Sequence, residues 1–128
     1  MKLKFISTIA FVKDINKSKK FYTEILGLTI VKDFHTIVFF ENQFVIHDSK
    51  NLIKTIFKKK YYNSFFKQGR KNLLICFEYA DINEIFNKVK LSGAKIIHKV
   101  EKQAWGQNVF RFYDYDNHIV EIGEPFEV

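Results

Sequence analysis

The chain has 128 residues, is 47% hydrophobic, and carries one proline and five glycines, which suits one dense core and excludes a disordered or low-complexity protein. Its formal charge of +7 is local: from Ser49 to Phe77 there is no acidic residue, while Lys50, Lys54, Lys58, Lys59, Lys60, Lys67, Arg70 and Lys71 all fall there. With Arg70 and Arg111 as the only arginines, a sequence-specific reader of nucleic acid is not expected; Cys76 alone excludes an intrachain disulfide, and no apolar run reaches the ~18 residues of a membrane span.

Residues 4–12 are β-branched and aromatic and predict a buried strand. Asp14 is a helix N-cap, followed by Ile15, Ser18, Tyr22 and Ile25 at helical spacing until Gly27 ends the run. Three short strands follow, at 28–34, 36–41 and 43–48, with a hairpin near Asn42. Residues 49–71 form a basic connector in which Leu52, Ile53, Ile56 and Phe57 predict a short amphipathic helix. The order then repeats. A strand at 73–79 precedes a helix at 81–92, Gly93 stops it, and strands at 94–101, 107–114 and 118–123 complete the chain. Asp81-Ile82-Asn83 stands 67 residues after Asp14-Ile15-Asn16, so the chain reads as two βαβββ modules, 1–48 and 72–128, in one structural domain.

Strand alternation assigns residues to faces. Ser7, Ile9 and Phe11 share one face of the first strand, and Leu74, Cys76 and Glu78 share the matching face of the fifth. A carboxylate under a helix would be costly, so the Glu78 set is expected on the face away from the helix, lining a cleft between the modules.

Phe11-Val12-Lys13-Asp14, Ser18, Phe21-Tyr22 and Leu26-Gly27, together with the run from Phe112 to Glu121, resemble the vicinal oxygen chelate superfamily, which includes glyoxalase I, extradiol dioxygenases and bleomycin or fosfomycin resistance proteins. Tyr115 and Asn117 stand where that pattern often has Pro and Gly. The resemblance implies an α+β fold, with the two modules forming a cupped mixed sheet and the helices outside, and it implies a homodimer. It also implies ligand positions on the first and last strands of each module. The first-strand positions, seven residues before the helix-opening Asp, fall on Ser7 and Leu74; the last-strand positions fall on His47 and Glu121. Leu74 offers no donor and Ser7 only a neutral oxygen, so no cofactor and no tightly bound metal are expected; the fallback is a weak or incomplete divalent site at His47 and Glu121.

The expected function is binding of a small aromatic or amphipathic molecule in the cleft, with a metal-dependent lyase, isomerase or dioxygenase as the alternative. His47 and Glu121 are the candidate acid/base pair. Ser7, Ile9, Phe11, Leu74, Cys76, Glu78, Trp105 and Arg111 are the candidate ligand-binding residues. Trp105 suits a stacking lid; Arg111, inside a strand, needs a carboxylate such as Glu78 or an anionic ligand; Cys76 reads as a small buried hydrophobe; His98 reads as exposed. A cytoplasmic protein with no membrane partner is expected.

Overall fold

The computed structural model describes residues 2–58 and 69–126. Most of the second half of the basic connector, from 59 to 68, lies outside them. The chain divides into two compact units, Met1–Phe66 and Lys67–Val128.

In the first unit, β1 (Thr8–Val12) leads into α1 (Ile15–Lys20), then β2 (Ile30–Asp33), β3 (Ile37–Phe40) and β4 (Phe44–Asp48), followed by α2 (Ser49–Phe57). The sheet order is β1-β4-β3-β2, with β1 and β4 parallel and the other pairs antiparallel. The expected strand at residues 4–7 is not formed. A single turn at Glu41–Gln43 precedes β4, and β4 begins at Phe44 opposite Thr8, so among the described residues no strand pairs with the chain before Thr8. Asn42 takes a left-handed φ of 62°, as the hairpin near it requires.

Asp14 caps α1 by accepting from Lys17 N at 3.0 Å. The helix then widens into a π-type turn over Phe21–Ile25, closed by Leu26 N donating to Phe21 O at 3.2 Å. That turn buries both Phe21 and Tyr22, and Tyr22 lies against Phe40 and Phe44 at ring-centroid distances of 6.1 and 5.0 Å. Val12, Val38 and Ile46 complete the core under α1, each such side chain contributing about 2 kcal/mol. The amphipathic helix expected in the connector is α2: Asp48 caps it, Ile53 is buried, and it packs on β1 and β4.

The second unit repeats the plan. It contains β5 (Leu74–Glu78), α3 (Ile82–Leu91), β6 (Lys95–Lys102), β7 (Asn108–Tyr113) and β8 (Ile119–Gly123), in sheet order β5-β8-β7-β6 with β5 and β8 parallel. Asp81 caps α3 through Glu84 N at 3.1 Å, and Ile82, Ile85 and Val89 are its buried stripe. Phe86 meets Phe110 edge-on at 5.1 Å, which fixes the face of the sheet that α3 covers. Phe110 pairs with Ile122, and Ile122 with Phe77, so these three share that face. Leu74, Cys76 and Glu78 therefore occupy the opposite face, as alternation predicts, and all three are exposed. In the same way Ile9 and Phe11 lie on the face of the first sheet away from α1, whereas Ala10 and Val12 are buried beneath it.

Candidate functional site

The face of the second sheet away from α3 carries one polar row across all four strands. Register places Cys76 (β5) beside Glu121 (β8), Glu121 beside Arg111 (β7), and Arg111 beside His98 (β6). Arg111 organises the row. Its Nε donates to Glu121 Oε1 at 2.9 Å and its Nη2 reaches the same oxygen at 2.8 Å. Nη2 also donates to Gln103 Oε1 at 3.3 Å, and Nη1 lies 3.0 Å from His98 Nε2. The ion pair is largely removed from water, with side-chain exposures of 24% for Arg111 and 14% for Glu121.

The His98 ring has its other nitrogen, Nδ1, 2.7 Å from the carbonyl oxygen of Lys99. A carbonyl only accepts, which assigns the proton to Nδ1 and leaves the Nε2 lone pair facing Arg111. Four of the five guanidinium N–H groups are therefore committed, and one on Nη1 is left. Arg111 cannot present a two-pronged fork to a carboxylate or phosphate without giving up a bond it already makes.

Cys76 is exposed rather than the buried hydrophobe expected. Partial burial raises its thiol pKa above the ordinary value, and the charge and hydrogen bonding of Glu121 raise it further, against a lowering by Arg111. It is a poor nucleophile at neutral pH.

Trp105 occupies a short turn between β6 and β7, where Gln103 N donates to Gln107 O at 2.8 Å and Gly106 takes a φ of 99°. The indole is 49% exposed, and its Nε1 donates to Gln107 Oε1 at 2.8 Å. Gln107 in turn donates from Nε2 to Glu124 O at 2.6 Å and lies over Gly123, where a Cβ would meet its amide and stand 3.1 Å from Val109 Cγ1.

The structure corrects three further expectations. Arg111 pairs with Glu121, not Glu78, because Glu121 is its cross-strand neighbour while Glu78 sits opposite Gly123. His98 is half-buried and bonded, not exposed. His47 is not the counterpart of Glu121. Ile9 and Cys76 each lie five residues before the capping Asp of their half, and Ile9 pairs with Val45 where Cys76 pairs with Glu121. Val45 is thus the equivalent of Glu121, and His47, beside Phe11, matches Gly123. His47 is half-buried, with Nδ1 3.1 Å from Asp48 O. Ser7 is half-buried just before β1.

The family described as glyoxalase-like domain matches residues 5–127. The chain belongs to the glyoxalase-like family. Among solved structures it is similar to a protein of unknown function from Agrobacterium tumefaciens strain C58, with 43% identity, a TM-score of 0.89, and 98% of this chain and 97% of that one covered. The fosfomycin resistance protein FosX of Listeria monocytogenes shares the fold at 20% identity and a TM-score of 0.71, covering 98% and 96%. The lactoylglutathione lyase of Agrobacterium tumefaciens does so at 17% and 0.66, covering 94% and 92%. No curated protein matches the chain. The two four-stranded mixed sheets with their helices thus form the glyoxalase/bleomycin resistance fold.

The donor set of this glyoxalase-like chain does not fit the metal that the resemblance implies. Of the positions matched by spacing or by register, Val45 and Leu74 are apolar, Ser7 is a neutral hydroxyl, and one oxygen of Glu121 is already held at 2.9 and 2.8 Å by two guanidinium nitrogens. Among the described residues, no three His, Cys, Asp or Glu are grouped to hold an ion.

Proposed function

We propose that this glyoxalase-like protein binds a small aromatic or amphipathic molecule and does so without a tightly held catalytic metal. The observation that carries this reading is the commitment of Glu121 to Arg111. The one carboxylate at a ligand position is neutralised by a side chain, so the face presents a fixed hydrogen-bonding row rather than a Lewis acid. Leu74, Ile119 and Tyr113 share that face with the row and supply apolar contact, and in the first unit Ile9 and Phe11 give the corresponding face a similar character. An apolar surface with a few placed polar groups is what small-molecule sites use to hold and orient a ligand. The protein would act in the cytoplasm.

Thermal-shift screening tests this. Aromatic and amphipathic metabolites and antibiotics are expected to raise the unfolding midpoint of the wild-type protein, and Arg111→Met is expected to weaken the response. A flat response to the whole panel, with a rise of several degrees on adding a divalent metal, would reverse the reading.

A second reading, metal-free acid/base catalysis as in a lyase or isomerase, draws on His47, whose Nε2 makes no hydrogen bond among the described residues, and on Glu121. Replacing either by Ala should then abolish turnover and leave the fold intact.

A further inference from the structure

Three acceptors from separate places in the second unit converge on one cation. Glu121 Oε1 comes from β8, His98 Nε2 from β6, and Gln103 Oε1 from the turn after β6, at 2.8, 3.0 and 3.3 Å from guanidinium nitrogens. Carboxylate oxygen, imidazole nitrogen and amide oxygen are a donor set that also suits a borderline divalent ion. The imidazole is presented in the ligating form, because its Nδ1 proton is held by Lys99 O. Glu101 stands on the Nδ1 side of the ring at 3.8 Å, and its charge favours the same proton position.

We propose that Arg111 is the resident cation of this site. It fills, from within the chain, a place that His98, Gln103 and Glu121 would otherwise offer to a divalent metal, and it thereby makes the face metal-excluding. The inference rests on the metal-independent reading above and extends it by naming the residue that enforces it. Two features support a built site over an incidental ion pair. The guanidinium makes a bond from each of its three nitrogens, which a chance surface pair does not achieve. The ring of His98 is also oriented from behind by a backbone carbonyl, the arrangement that fixes an imidazole toward a cation. Arg111 is a positioning residue: it holds the row in one geometry and keeps competing cations out.

The prediction is a gain of function. Arg111→Ala should leave the three acceptors facing an empty place. Titrated with Co²⁺, this variant should develop a visible ligand-field band to equimolar saturation and gain thermal stability; the wild-type protein and Arg111→Lys should do neither. Adding His98→Ala or Glu121→Gln to Arg111→Ala should remove both effects. Millimolar guanidinium, which restores the missing group, should compete with Co²⁺ in the single variant. Wild-type protein that binds Co²⁺ as tightly as Arg111→Ala overturns the proposal, as does folded Arg111→Ala that stays colourless. Should Arg111→Ala fail to fold, nitrogen-15 NMR of the wild-type chain decides: the His98 Nδ1–H tautomer and an Arg111 Nε–H signal unmoved by Zn²⁺ are expected. An Nε2–H tautomer, or Zn²⁺-induced shifts at His98, would refute it. The thermal-shift ligand screen uses different probes, so its failure and the failure of the Co²⁺ titration are separable.

Discussion

At the scale of single residues, the polar row gives Cys76 a pH signature. Its thiol pKa is raised above the ordinary value of 9.0, chiefly by partial burial and then by Glu121. Alkylation by iodoacetamide should therefore follow a pH profile displaced upward from that of a free thiol, and Glu121→Gln should move the profile back down. The linkage has a definite sign. A thiol with a raised folded-state pKa adds stability that is fully present below its unfolded value and is lost as pH climbs through the folded one. Chemical denaturation should accordingly show a loss of stability above about pH 9 that is smaller in Cys76→Ser. Arg111 could be marked from the sequence as a strand-internal charge in need of a partner, but its partners could not. Counting back from the Lys102–Asn108 pair places Lys99 opposite Arg111; irregularities in β6 shift the register and bring His98 there instead. Neither bulge has a glycine or proline to announce it.

At the scale of elements, most of the secondary structure was legible because the caps are chemical and the alternation is clean. Asp14, Asp48 and Asp81 each accept from a backbone N–H three residues on. Strand ends moved by one or two residues, and by four at residues 4–7, where pairing, not propensity, sets the limit. Trp105 illustrates what alternation does not reveal: its position depends on Gln107, which spans the gap left by the missing side chain of Gly123. Gly123→Ala should push Gln107 aside and destabilise the protein by about 1–3 kcal/mol, the usual range for overpacking. Urea denaturation would measure that loss. A change in the intrinsic fluorescence of the folded variant would report the release of Trp105, the sole Trp in the chain; unchanged fluorescence would show that Gln107 does not hold the indole.

At the scale of the whole molecule, the chain leaves much apolar surface uncovered. Leu91 is 88% exposed, Ile6 70% and Phe5 62%, and the strands at the edges of the two sheets include β1 and β5. We expect a homodimer to cover part of this surface, and analytical ultracentrifugation at micromolar concentration should give twice the chain mass. A monomer across that range would discard the expectation. The repeat of strand, cap, helix and glycine made the fold readable from the sequence. It misled about the site. Spacing from the capping Asp matches Ser7 with Leu74, but the last strand of each half is positioned by its own loops, so only the parallel register reveals that Val45, not His47, answers to Glu121.

The π-type turn at the end of α1 bears on how the halves came to differ. Gly27 lies thirteen residues after Asp14, whereas Gly93 lies twelve after Asp81. The first half thus carries one residue more between start and stop signals, and the wide turn at Phe21–Ile25 is where the surplus is stored. α3 has no such turn. A change of chain length, which would ordinarily rotate every later side chain by a helical step, is confined to a single loop of backbone. Beyond it, both glycines still close their helices with positive φ, at 74° and 85°. The two copies differ in length by one residue and still end on the same stop signal.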